Sequence, residues 1–199
     1  MSDTSTSIYG SQRLHMEEVM DRIVEEINDV RRELTAKTGS DPVEHLLARI
    51  KSEESMREKC RRKGLPEDEH SALVLIHDGI GIRVVCSFID DVYVIRERLG
   101  AMQGAEIVEE KDYIRRSKPN GYRSLHMILR FDGSYYAEIQ LRTISMDVWA
   151  ALEHHMKYKK KIGGNTALIT AELKRCADEL ASTDLSMQTI RDMILEEGE

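Results

Sequence analysis

Two alternating apolar runs joined by Asp132-Gly133 leave the stretch from about residue 122 to 142 one easy solution, an antiparallel hairpin. A side-chain period of two suits half-buried strands, and an Asp-Gly pair supplies the left-handed backbone that a tight connection needs. Upstream, Ile82 to Phe88 is β-branched and apolar enough for a buried strand. Asp90 then opens a helix carrying Val92, Ile95, Leu99 and Met102, and another strand is expected at about 106–112. The flanks have the helical period instead. Leu14, Val19, Ile23, Ile27, Val30 and Leu34 mark one long amphipathic helix. Asp41-Pro42-Val43-Glu44 reads as the cap, first-turn proline and capping carboxylate of a second helix carrying Leu46, Leu47 and Ile50. Ser52 caps a further helix running to Lys63, with Gly64 and Pro66 as its stop. After the hairpin, Met146, Trp149, Ala150 and Met156 mark a helix. Leu168, Leu173, Cys176 and Leu180, then Leu185, Ile190 and Ile194, mark later ones. The class is α+β with helical extensions at both ends.

The 199 residues suffice for one domain with its own core. Residues 1–11, rich in Ser and Thr, are expected to be flexible. Residues 12–160 form the domain, and 161–199 add apolar helices suited to an oligomer. A net charge of -7 excludes a wholesale nucleic-acid coat, so the basic groups must be read by position. Cys60, Cys86 and Cys176 are odd in number and far apart, which fits reduced thiols in a cytoplasmic protein; no apolar run approaches the roughly 20 residues of a membrane span.

Chemistry-bearing residues gather in four places. Asp78, in Asp78-Gly79-Ile80-Gly81-Ile82-Arg83, precedes a strand whose glycines leave room for a ligand; it is a turn residue or a magnesium carboxylate. On the strand Tyr136 to Arg142, the residues Glu138, Gln140 and Arg142 share one face, which is either solvated or a site holding acid, amide and cation together. Arg49, Lys51, Ser55, Lys59, Arg61, Arg62 and Lys63 form a basic cluster able to grip a triphosphate or to pair with Glu53, Glu54 and Glu58. A second basic group, Lys111, Arg115, Arg116, Lys118 and Arg123, surrounds the Asn120-Gly121 turn. Beside it, Tyr122 offers a flat face to a purine or to ordinary strand packing, and His126 offers a phosphate contact or a structural imidazole. No glycine-rich phosphate loop and no activated Ser or Cys is recognisable, so the nucleophile belongs to a substrate.

In order, Arg49-Ile50-Lys51, Asp78 to Arg83, Lys111-Asp112-Tyr113-Ile114, Lys118 to His126, Glu138 to Thr143 and Met146 to Ala150 with Glu153-His154 resemble the RelA/SpoT synthetase family, over about residues 40–160. The short chain is similar to its small alarmone synthetases. That resemblance implies a nucleotidyltransferase-like fold with a mixed sheet of about five strands. It also implies transfer of the β,γ-pyrophosphate of ATP to the 3′-hydroxyl of GDP or GTP with Mg2+. By motif, Asp78 and Glu138 resemble the magnesium carboxylates, with Glu138 also placed to take the hydroxyl proton. Arg49 and Arg83 resemble the pair that sandwiches adenine, and Lys51, Ser55, Lys59 and Arg62 the ATP phosphate contacts. Tyr122 resembles the guanine-stacking residue, and Lys111, Lys118, Asn120, His126, Gln140 and Asp147 fall where acceptor contacts are expected. A homo-oligomer, a homotetramer by resemblance, is expected, with no membrane and no stable nucleic-acid partner. The competing readings are pyrophosphate transfer to the 3′ end of tRNA and a non-catalytic alarmone- or RNA-binding module.

Overall fold

The computed structural model describes residues 7–159 and 165–196. Helix α1 (Arg13–Thr38) buries Met16, Val19, Ile23, Ile27 and Val30, the stripe expected of its three- and four-residue spacing, and ends on left-handed Gly39. Strand β1 (Val43–Ile50) and helix α2 (Glu53–Lys63) follow. Ser52 caps α2 by accepting from the Ser55 amide, and Gly64 closes it in the left-handed region, as the sequence predicts. A π-helical turn at Ser71–Leu75 leads into β2 (Ile80–Cys86) and α3 (Ile89–Gly100). Strands β3 (Ala105–Asp112), β4 (Leu125–Phe131) and β5 (Tyr135–Thr143) run into α4 (Ile144–Lys159), and α5 (Thr166–Glu196) closes the described chain.

The five strands form one mixed sheet in the order β1-β2-β5-β4-β3, in which only β2 and β5 run parallel. Asp132 (φ 50°) and Gly133 (φ 74°) make the expected β4–β5 turn. On one sheet face Ile80, Ile82, Val84, Met127, Leu129, Ala137, Ile139 and Leu141 join the stripe of α1 and Val92, Ile95 and Leu99 of α3 in a single core. Each large side chain removed from water there contributes about 1.5–3 kcal/mol. The opposite face carries the polar residues of β1, β2, β4 and β5.

Three expectations need correction. Residues 43–50 form a strand, not a helix. The Asp41 carboxylate does accept from the Val43 amide, the bond a helix cap would make, but it closes a turn braced by Arg31. A bulge between Val43 and His45 then shifts the alternation by one residue, so inward Val43, Leu46 and Ile50 acquire a helix-like spacing. Residues 166–196 form one helix rather than a series. Thr183 and Ser186 return their hydroxyls to carbonyls four residues back, and the Asp184 carboxylate is engaged by Thr143 instead of capping a new helix. Finally, Ile8 and Tyr9, inside the segment expected to be flexible, are buried; residues 1–6, like the expected boundary at 160/161, lie outside the described residues. Tyr9 donates its hydroxyl to the Lys51 carbonyl at 2.7 Å, and Ser7 donates to Glu53, which fastens this segment to the start of α2. No described helix is long and apolar enough to cross a membrane.

Candidate active site

Sheet register assembles the polar face in two rows. Arg49, Gly81, Glu138 and Ile128 lie side by side across β1, β2, β5 and β4. One step along, Leu47, Arg83, Gln140, His126 and Lys111 form the next row across all five strands. The Arg49 side chain lies over Gly81, where a Cβ would stand 3.9 Å from Arg49 Cγ, an ordinary contact. Leu47, Ala48, Arg49, Gly81, Ile82, Arg83, Glu138 and Gln140 line a cavity of about 360 Å³, within the size range of small-molecule sites. Arg83 Nε is buried there without a partner among the described residues, a donor left for a ligand.

At one edge of this face lies the Asp78 turn. The Lys51 amide donates to the Gly79 carbonyl at 2.8 Å, while the ammonium groups of Lys51 and Lys59 approach Asp78 Oδ2 at 3.2 and 2.5 Å. Burial works against the charge on Asp78, but the two lysines outweigh it and hold the carboxyl below its ordinary range. The other oxygen, Oδ1, is buried and has no hydrogen-bond partner among the described residues. His77 stacks on Tyr136 with ring centroids 4.0 Å apart, which fixes the Asp78 turn against β5 two residues before Glu138. A carboxylate with one free buried oxygen suits a hard cation that takes its remaining ligands from water and phosphate. Ser55 and Arg62 stand exposed on α2.

The opposite side of the face is closed. Arg142, 5% exposed, donates to Tyr122 Oη at 2.7 Å, Gln140 Oε1 at 3.0 Å, Asp147 Oδ1 at 3.1 Å and Ser124 Oγ at 3.4 Å. Tyr122 Oη lies 2.8 Å from His126 Nε2, and His126 Nδ1 lies 3.9 Å from Glu138 Oε1. Burial, with Arg142, Lys118, Lys111 and Arg83 around it, pushes His126 down to about 4, so the imidazole is neutral near pH 7. Lys118 Nζ sits 4.5 Å from the Tyr113 ring centroid and 4.7 Å from that of Tyr122. Lys111, exposed on edge strand β3, pairs with Glu109.

The loop carrying Tyr122 is seated on the C-terminal helices. Asn120 Nδ2 donates to Glu153 of α4 at 3.0 Å, and Asn120 Oδ1 accepts from the Tyr122 amide. Gly121 has φ 91°, and a Cβ on it would fall 2.6 Å from Ala177 Cβ and 2.9 Å from Lys174 Cα of α5. Arg123 bonds Asp178 of α5 at 2.9 Å, and Trp149 donates its indole N–H to the Leu173 carbonyl.

Residues 48–163 match the family model described as the region found in RelA / SpoT proteins. The chain belongs to the RelA/SpoT family. Among RelA/SpoT relatives, it is 41% identical over 160 residues to GTP pyrophosphokinase YwaC of Bacillus subtilis, covering 77% of this chain and 76% of that one. Its fold is similar to that of small alarmone synthetase 2 from B. subtilis, with a TM-score of 0.73, 38% identity and coverage of 90% and 96%. Small alarmone synthetase 1 from B. subtilis bound to its product pppGpp gives a TM-score of 0.73 at 28% identity, with coverage of 90% and 94%.

The fold brings most of the expected RelA/SpoT positions to one face. Arg49, Arg83, Glu138 and Gln140 share the cavity, Lys51 and Lys59 meet Asp78, and Tyr122, His126, Gln140 and Asp147 meet through Arg142. Lys111 stands farther out, at the edge. Sequence reasoning placed Arg142 on this face but gave it no part, because a two-residue period reports direction and not burial. It also missed Tyr9, which braces the Lys51 backbone, and the seating of Gly121 on α5.

Proposed function

We propose that the chain is a GTP/GDP pyrophosphokinase, which transfers the β,γ-pyrophosphate of ATP to the 3′-hydroxyl of GDP or GTP and releases AMP with ppGpp or pppGpp. The observation that carries this reading is Asp78, held ionised by Lys51 and Lys59 yet keeping a buried free oxygen, beside a sheet-face cavity that contains Glu138. Arg49 and Arg83 flank the adenine. Lys51 and Lys59, released from Asp78, join Ser55 and Arg62 on the triphosphate. Asp78 and Glu138 would hold Mg2+, which would offset charge on the phosphate oxygens.

Glu138 accepts the 3′-hydroxyl proton as the oxygen attacks the β-phosphorus in line; the new O–P bond forms while the bond to the α-phosphate oxygen breaks and AMP leaves. Tyr122 stacks on guanine in exchange for Lys118, which moves to the acceptor's phosphates with Lys111. Asn120, His126, Gln140 and Asp147 position the acceptor's remaining groups. The names of the relatives, GTP pyrophosphokinase and alarmone synthetase, support the same chemistry.

Leu152 and Met156 of α4, with Leu185, Ile190, Met193 and Ile194 of α5, are exposed apolar groups that support a homo-oligomer, a homotetramer in our reading. A monomeric mass by light scattering would contradict it. The free thiols of Cys60, Cys86 and Cys176 fit a reducing cytoplasm. The test of function mixes the protein with Mg2+, ATP and GDP or GTP and separates nucleotides by anion exchange. Equimolar AMP and a more highly charged guanosine product are expected. AMP appearing only when tRNA is added would move the acceptor to tRNA, and no AMP with either would reject the transfer.

A further inference from the structure

Tyr122 Oη has two polar partners among the described residues, the Arg142 guanidinium and His126 Nε2. Arg142 has only N–H groups to offer, so it donates. The tyrosine's own proton then has one acceptor, His126 Nε2, and a neutral imidazole accepting at Nε2 carries its proton on Nδ1. Nδ1 is the nitrogen that faces Glu138, 3.9 Å from Oε1. The opposite tautomer would set two N–H or O–H protons against each other at the 2.8 Å contact, or leave the tyrosine proton without an acceptor among the described residues. Arg142 is itself held in one orientation by Asp147, Gln140 and Ser124, so the direction of this chain is built into the fold.

From this geometry we infer that Arg142 and Tyr122 are positioning residues that lock His126 as its Nδ1–H tautomer, so that it presents a donor to Glu138 and keeps that carboxylate aimed at the acceptor hydroxyl. The inference rests on the pyrophosphokinase reading and adds to it. The tyrosine hydroxyl acts separately from the ring face that would stack on guanine. During transfer the 3′-hydroxyl proton goes to Glu138 and His126 keeps its own. The separation is 3.9 Å in the chain without nucleotides, and such contacts close when substrates bind.

Tyr122→Phe separates the two uses of this side chain, because it keeps the ring and removes only the hydroxyl. Nitrogen-15 NMR of the imidazole should show Nδ1–H in the parent protein and a mixture rich in Nε2–H in Tyr122→Phe. In the anion-exchange assay kcat should fall about tenfold to a hundredfold, while the acceptor KM stays within about threefold, as for loss of a group felt mainly in the transition state. Arg142→Lys, which keeps the charge and loses the fork, should move both readouts the same way, with circular dichroism confirming the fold. An Nε2–H imidazole in the parent protein, or Tyr122→Phe with parental kcat, would overturn the inference. A parent protein with the Nδ1–H signature that makes no AMP would instead strike the pyrophosphokinase reading, and with it the catalytic half of this one.

Discussion

On the side of the sheet assigned to ATP, Arg49, Ser55 and Arg62 stand exposed and Arg83 Nε has no partner among the described residues, whereas on the side assigned to the acceptor the half-buried Tyr122, His126, Gln140 and Asp147 are tied into one net around buried Arg142. The difference suits the two ligands of the proposed reaction. A triphosphate brings several charges of its own, and solvated cations on a helix and an edge strand can reorganise around them at little cost to the fold. The ribose hydroxyl of the acceptor must point in line at the β-phosphorus, an orientation best set by side chains already fixed in place. The acceptor side is therefore woven into the core and α5, and changes there should disturb the fold as well as the chemistry.

The largest effect is expected where the two sides meet. Glu138→Gln and Asp78→Asn should each lower turnover by about a thousandfold or more, with near-parental circular dichroism, since each removes a carboxylate that the proposed mechanism uses in the transition state. Turnover within tenfold of the parent would remove that residue from the mechanism. Next comes Gly121→Ala. Its Cβ would fall 2.9 Å from the Lys174 Cα on α5, where backbone cannot give way, and at φ 91° it is strained besides. A loss of about 1–3 kcal/mol in thermal or urea unfolding is expected, together with a raised acceptor KM and an unchanged ATP KM. Unchanged unfolding would mean that the loop is not seated on α5.

Acid should also separate the two sides. The unfolded chain binds a proton on His126 near pH 6.5 and the folded chain only near 4, so the stability this site contributes is complete above the first value and is lost as the pH falls toward the second. On the order of 2–3 kcal/mol should disappear across that window and be largely absent in His126→Gln, as measured by urea midpoints. A parent and variant with parallel pH profiles would refute the neutral, buried imidazole. Smallest is Arg62→Ala, exposed on α2, which should raise the ATP KM a few fold and change stability by less than about 0.5 kcal/mol.

Legibility in the sequence divides along the same line. Local signals were read correctly: Ser52 and Gly64 bound α2, Asp132-Gly133 turns the hairpin, and the period of two puts Glu138, Gln140 and Arg142 on one face. What failed depends on distant partners. The bulge at Val43/His45 disguised β1 as a helix, because only pairing with β2 reveals the register shift. Burial of Arg142 needs Asp147, Ser124 and Tyr122 around it, and the requirement for Gly121 comes from a helix some 50 residues later in the chain. Tyr9 looked like part of a polar tail until its hydroxyl found the Lys51 carbonyl.

The most direct measurement is calorimetric titration of a non-hydrolysable ATP analogue and of GDP or GTP, each separately, into the parent protein, Arg49→Ala and Tyr122→Ala. Two subsites on one sheet face predict opposite single defects: Arg49→Ala weakens the ATP analogue and spares the guanosine nucleotide, and Tyr122→Ala does the reverse. Both substitutions weakening the same nucleotide, or neither changing either affinity, would contradict the division of the face into donor and acceptor sides.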